Sequence, residues 1–179
     1  MVVSNPKATK RLDFYNNLSQ FSKVDSGGKV LNNVGGSVKD KMTFIKDYKF
    51  VIAFENEEHD GYTTEKILEP MLVDSIPIYW GNKKVNEDFN TKRFINYNDF
   101  DTEEKLIERL IEIDKNPNLA IDMLSQPILS NKRTSFKKER KEVFEIIDKI
   151  IKSRKPPKAS TYKENIYLLK LLYIKKLDY

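Results

Sequence analysis

A strand, loop, helix and second strand follow one another in the middle of this chain, and that succession most tightly limits how it can fold. From Tyr48 to Glu55 the run YKFVIAFE is short, nearly continuous in apolar character and rich in aromatic and β-branched residues. That is the composition of a strand covered on both faces. Ile76–Trp80 (IPIYW) repeats the character and stops at Gly81, and Phe94–Tyr97 (FINY) repeats it again before Asn98 and Asp99. Between the first two runs, Ile67, Leu68, Met71 and Leu72 fall at helical spacing within Thr63–Val73. Thr63 or Thr64 opens that helix as an N-cap, and Pro70 is placed to kink it. Three parallel strands with right-handed helical crossovers are the expected core.

The flanks extend the same alternation. A helix is expected near Arg11–Leu18, a turn at Gly27 and Gly28, and a helix near Lys39–Lys46. After the third strand, Asp101 and Glu104 have capping-box spacing ahead of a helix striped by Leu106, Ile107, Leu110 and Ile111. Another helix fits Glu139–Lys152, with Val143, Phe144, Ile147, Ile150 and Ile151 expected to point inward. The fold class is therefore α/β, a Rossmann-like parallel sheet with helices on both faces, occupying residues 1–152. The stretch SRKPPKAST at 153–161 cannot continue a helix through Pro156 and Pro157 and reads as a linker. Beyond it, 162–179 is a basic amphipathic tail helix with Tyr162, Ile166, Leu169, Tyr173 and Leu177 on one face. Such a helix can lie on an anionic bilayer, or pack against the body or a second chain.

Charge divides the chain similarly. From Lys132 onward there are 15 Lys/Arg against 6 Asp/Glu, leaving 17 against 21 before that point. A mildly acidic body with a basic arm suits an anionic partner surface or simply a solvated tail. Cysteine is absent, which excludes a disulfide framework, a thiol nucleophile and a cysteine-based zinc site. No apolar leader or 20-residue apolar run is present. A cytoplasmic chain is expected, in peripheral contact with the inner face of the cytoplasmic membrane where the tail lies on lipid.

The segment most informative about chemistry is FENEEHDGYTTEKI, Phe54–Ile67. It runs from the carboxyl end of a strand through a polar loop into a helix amino terminus, the junction where open α/β sheets bind ligands and anions meet free N–H groups. Lys66 adds a cation where the helix dipole already favours anions, which is unfavourable for an empty helix by some tenths of a kcal/mol and hints at a ligand, although taken alone it fits a solvated surface lysine better. Glu65 can accept hydrogen bonds from sugar hydroxyls or serve only as a partner of the helix dipole. Asn56 fits a ligand contact or an Asx turn, and Tyr62 a stacking platform or a loop anchor.

Other patterns carry less. Asp99-Phe100-Asp101 spells a metal-type Asp-x-Asp, but Asp101 is explained as a helix cap, and no metal is assigned. His59 is the single histidine, so no multi-histidine site can be assembled, and it reads as a loop residue. Lys137, Lys138, Arg140 and Lys141 interleave with acidic residues instead of base-stacking aromatics, the pattern of a solvated face, and no nucleic acid partner is expected.

Three segments together, YKFVIAFEN at Tyr48–Asn56, GYTTEKI at Gly61–Ile67 and IPIYWG at Ile76–Gly81, resemble the bacterial α1,3-fucosyltransferases in order and spacing. SNPKATKRLDFY at Ser4–Tyr15 and VDSGG at Val24–Gly28 look like the stretch that precedes that core in the family, and the resemblance spans about Ser4–Phe100. It implies the carboxyl-terminal, donor-binding half of a two-domain GT-B glycosyltransferase that takes GDP-fucose and requires no metal or other cofactor. The acceptor, an N-acetylglucosamine-containing glycan, would be bound by an amino-terminal domain that members carry ahead of the Ser-Asn-Pro stretch. By position, Arg11 and Lys66 neutralise the diphosphate, Glu65 binds fucose and the ribose region, and Asn56, Tyr62 and Thr64 line the same pocket. The family's general base is a Glu of the acceptor domain, so the chain alone is expected to hold the donor and transfer fucose poorly. The competing expectation is a non-catalytic GDP-sugar-binding or interaction domain.

Overall fold

The computed structural model describes residues 1–2, 4–132 and 136–153. In chain order its elements are α1 (Thr9–Leu18), α2 (Lys41–Ile45), β1 (Phe50–Phe54), α3 (Glu65–Leu72), β2 (Ile76–Trp80) and α4 (Val85–Asp88). They are followed by β3 (Ile95–Asn96), a 3-10 turn at Tyr97–Asp99, α5 (Glu103–Lys115), α6 (Pro117–Ser125) and α7 (Phe136–Ser153). The chain divides into two compact units, Met1–Arg133 and Thr134–Tyr179. This puts α7 in the second, whereas the sequence reading carried the first domain to residue 152. The linker from residue 154 and the tail at 162–179 lie outside the described residues.

The sheet is parallel in the order β1-β2-β3. Phe50 stands opposite Ile76, Phe54 opposite Trp80, and Ile78 opposite Ile95. Because strand side chains alternate in direction, one face of the sheet sends Ile52, Phe54, Ile76, Ile78 and Ile95 into a core with Phe14 of α1 and Leu106, Ile107, Leu110 and Ile113 of α5. The other face sends Tyr79 into a second core with Ile67 and Met71 of α3, Val85 of α4, Phe89 and Phe94. Helices therefore cover both faces, as the near-continuous apolar strands require. Arg93, 1% exposed, fastens the far end of α3: its guanidinium donates to the carbonyls of Met71 at 3.3 Å and Ser75 at 3.2 Å.

Several local expectations are corrected. The third strand is only two residues long, because the Asn96 side chain accepts from the Asn98 N–H at 3.3 Å and turns the chain into the 3-10 turn. Thr102, not Asp101, caps α5, its hydroxyl accepting from the Lys105 N–H at 3.3 Å. The Asp101 carboxylate instead accepts from the Lys105 ammonium at 2.7 Å. The apolar stripe of α7 forms, but Val143, Phe144, Ile147, Ile150 and Ile151 are exposed rather than inward-facing. The opposite face of α7 is solvated as expected, with Lys141 paired to Glu145 at 3.7 Å and Lys152 to Asp148 at 2.6 Å. Among the described residues no helix is long and apolar enough to cross a membrane.

Candidate functional site

The site begins with α1. Arg11 and Phe14 are one turn apart and share its buried face. Phe14 stacks on Phe54 with ring centroids 5.0 Å apart, and Tyr97 meets both rings edge-on at 6.0 and 5.5 Å. This packing carries Arg11 to the carboxyl end of β1. There its guanidinium donates to the Phe54 carbonyl and, at 3.3 Å, to Oδ1 of Asn56. Arg11 is 5% exposed, and its Nε is buried with no hydrogen-bond partner. Burial lowers its pKa while Glu55 and Glu65 oppose that shift. A buried arginine with an unused donor is a hydrogen-bond set that a ligand can complete.

Glu55, the residue after β1, lies beneath the loop. Its side chain has no exposed surface, and its carboxylate accepts from the Thr64 N–H at 2.8 Å, from the Thr64 hydroxyl at 2.8 and 2.9 Å, and from the Lys66 ammonium at 3.0 Å. Burying a carboxylate without such partners would cost several kcal/mol. The expected N-cap, Thr64, does precede α3, but its hydroxyl goes to Glu55 and makes no capping bond to the helix. Gly81, at φ +154°, packs directly against this arrangement: a Cβ there would come within 2.6 Å of Glu55 Cγ and 2.8 Å of Tyr79 Oη.

Asn82 clamps the loop from its other side. It is 3% exposed; its Oδ1 accepts from the Gly61 N–H and its Nδ2 donates to Thr63 Oγ1, both at 2.9 Å. Its own N–H donates to Tyr79 Oη at 3.0 Å. Ion pairs Lys83–Glu58 at 2.9 Å and Lys84–Asp60 at 3.0 Å hold the acidic outer part of the loop. His59 is a loop residue, 2.9 Å from Glu57.

These elements enclose a cavity of about 270 Å³ whose walls include Arg11, Lys41, Asn56, Glu65 and Lys66. It opens at the carboxyl end of β1 beside the amino terminus of α3, where backbone donors and helix dipole favour an anion. Lys66 reaches Glu65 at 3.6 Å as well as Glu55. Lys41 is ion-paired with Glu69. Burial alone would raise the Glu65 pKa, but its own backbone N–H together with Lys66 and Lys41 hold it below the ordinary glutamate value. A larger cavity of about 450 Å³, among Phe21, Val24, Tyr48, Lys49 and Ile111, lies at the amino end of β1, the end of an open α/β sheet that ligands do not use.

The structure thus brings together Arg11, Asn56, Glu65 and Lys66. It does not bring Tyr62, which is 42% exposed and absent from the cavity wall, and it turns Thr64 inward to Glu55. Sequence reasoning missed Lys41, Asn82 and the anchoring role of Glu55, none of which carries a local signal. Asp99 and Asp101 are engaged separately, by Asn96 at 3.0 Å and Lys105 at 2.7 Å.

With this geometry in view, comparison with known proteins is decisive. The carboxyl-terminal part of glycosyltransferase family 10, the fucosyltransferases, matches residues 1–125. The chain belongs to that family. An α-(1,3)-fucosyltransferase of Helicobacter pylori is 42% identical over 123 residues, which is 69% of this chain and 26% of the relative. Human 4-galactosyl-N-acetylglucosaminide 3-α-L-fucosyltransferase 9 is 32% identical over 113 residues, 61% of this chain and 31% of that enzyme. A solved α1,3-fucosyltransferase with GDP-fucose superimposes with a TM-score of 0.78 at 32% identity, over 87% of this chain and 47% of the other. One with GDP superimposes with a TM-score of 0.79 at 35% identity, over 86% and 46%. The family 10 chain therefore spans about a quarter to a half of the length of the relatives it matches, and its sheet with helices on both faces is the glycosyltransferase architecture expected from sequence.

Proposed function

We propose that this chain is the donor-binding part of an α1,3-fucosyltransferase, holding GDP-fucose in the cavity at the carboxyl end of β1. The observation that carries the reading is the convergence of Arg11, Lys41 and Lys66 with Asn56 and Glu65 at a helix amino terminus, in a chain whose family transfers fucose. Arg11 and Lys66 neutralise the diphosphate, Glu65 and Asn56 accept from or orient sugar hydroxyls, and Thr64 holds the loop in place. Tyr62 joins the pocket if the loop closes over the donor.

As the fucosyl bond breaks, negative charge grows on the leaving GDP, and preorganised cations beside a helix amino terminus stabilise it. In this reading those cations take the place of a divalent ion, and no cofactor is needed. Transfer is inverting, with a general base on the face opposite the nucleotide. That base and the grip on an N-acetylglucosamine-containing acceptor belong to a separate acceptor-binding domain. The basic residues beyond 153 serve as linker and tail, suited to the anionic inner face of the cytoplasmic membrane.

Calorimetric titration of the 179-residue chain with GDP-fucose tests the reading, with binding expected. Offered a lactosamine acceptor, the same preparation is expected to show little or no transfer; efficient fucosylation by the chain alone would overturn the division of labour. One other reading is a GDP-sugar-binding module without catalysis. It predicts the same binding but no transfer even when an acceptor-binding domain of a relative is added.

A further inference from the structure

We propose that Glu69 limits how tightly the site takes a nucleoside diphosphate, by holding the Lys41 ammonium in competition with the incoming phosphates. The inference rests on the donor-site reading above. Lys41 opens α2 and lines the cavity with Arg11 and Lys66. Its Nζ is paired with Oε2 of Glu69, which stands on α3 one turn beyond Glu65.

The two ion pairs that hold the cavity's lysines differ in kind. Lys66 is held by Glu55, whose side chain is fully buried and is also fastened to Thr64. Breaking that pair would strand a buried charge, which is strongly unfavourable. Lys41 and Glu69 keep 33% and 26% of their side-chain surface exposed. A part-exposed pair of this sort contributes little to stability and exchanges partners readily. An ammonium has three donors on a flexible stem, so Lys41 can turn from Glu69 to a phosphate oxygen without unfolding anything.

Charge decides the direction of the effect. Arg11, Lys41 and Lys66 face Glu55, Glu65 and Glu69 across and behind the cavity wall, so the empty site is nearly balanced. A diphosphate entering it meets the carboxylate of Glu69 as well as the ammonium of Lys41. Replacing Glu69 with Gln keeps its size and one acceptor while leaving the Lys41 charge to the phosphates.

The test is calorimetric titration of the full chain and its variants with GDP, and with guanosine as the probe lacking phosphate. Glu69→Gln is expected to tighten GDP binding roughly two- to fivefold, and Lys41→Ala to weaken it by a similar factor, the scale of one part-exposed charge pair. Guanosine binding should be unmoved by either. If the pair did no more than tie α2 to α3, both substitutions would break the tie and shift GDP binding in the same direction. Weaker or unchanged GDP binding by Glu69→Gln therefore overturns the proposal. Lys66→Gln, run alongside, separates the two levels. If it weakens GDP while Glu69→Gln fails to tighten it, the role of Glu69 alone is wrong. If Lys66→Gln changes nothing, the donor-site reading fails and this inference with it.

Discussion

The Lys66 ammonium lies 3.0 Å from Oε2 of Glu55, a carboxylate with no exposed side-chain surface at the end of β1. One strand terminus thus fixes both the helix that follows the loop and the cation at that helix's first turn. Glu55→Ala is expected to lower unfolding free energy by about 3 kcal/mol, because it strands Lys66 and leaves Thr64 without its acceptor. Glu55→Gln should cost less, since the amide keeps an acceptor. Denaturant unfolding of both variants measures the difference, and equal losses would show that the carboxylate charge contributes nothing.

Gly81 makes a second, steric prediction. Its φ of +154° and the 2.6 Å approach of a Cβ to Glu55 Cγ leave no room for a side chain against two buried, hydrogen-bonded neighbours. Gly81→Ala should destabilise by about 2 kcal/mol through overpacking and backbone strain. It should also weaken GDP binding by displacing Glu55 from Lys66. A variant with unaltered melting temperature would contradict this packing.

The acid response follows from Glu103. Burial alone would raise its pKa, but hydrogen bonds from Tyr97, Asn17 and Lys10 hold it below the ordinary glutamate value of 4.5. The distances are 2.6 Å to Tyr97 Oη, 2.7 Å to Asn17 Nδ2 and 3.2 Å to Lys10 Nζ. A depressed carboxylate pKa contributes stability that is complete above the unfolded value and is lost as pH falls through the folded one. Since the cluster ties α1 to α5, the wild-type melting temperature should fall more steeply below pH 4.5 than that of Glu103→Gln. At neutral pH the variant should be less stable by about 1 kcal/mol. Parallel pH curves for the two proteins would contradict the assignment.

The parts of the fold visible in the sequence are those whose burial is one-sided in composition. β1 and β2 were legible because strands covered on both faces are apolar throughout, and α3 and α5 because their stripes recur at helical spacing. β3 was overextended because nothing in Phe94–Tyr97 announces that Asn96 will cap a turn with its own side chain. The helix α6 was missed although Asn116 and Pro117 form a recognisable start, with the Asn116 side chain accepting from the Asn118 N–H at 3.2 Å. For the site, Lys66 and Glu65 stood out as charges at a helix start. Glu55 and Asn82 could not, because their partners arrive from elsewhere in the chain and only the folded loop turns them into anchors. Lys41 reaches the cavity through the contact of α2 with α3, which no local pattern encodes.

The central claim, that Arg11 and Lys66 form a diphosphate site for a nucleotide sugar, is tested most directly by titrating GDP-fucose into wild type and Lys66→Gln. The glutamine keeps a donor for Glu55 but removes the charge that pairs with this buried carboxylate, so a lower melting temperature is expected, and binding is compared at a temperature where both proteins are folded. The account predicts measurable binding by wild type and at least roughly tenfold weaker binding by the variant, as loss of one charge-assisted hydrogen bond implies. Absence of binding by wild type, or equal affinity in the two proteins, would contradict it.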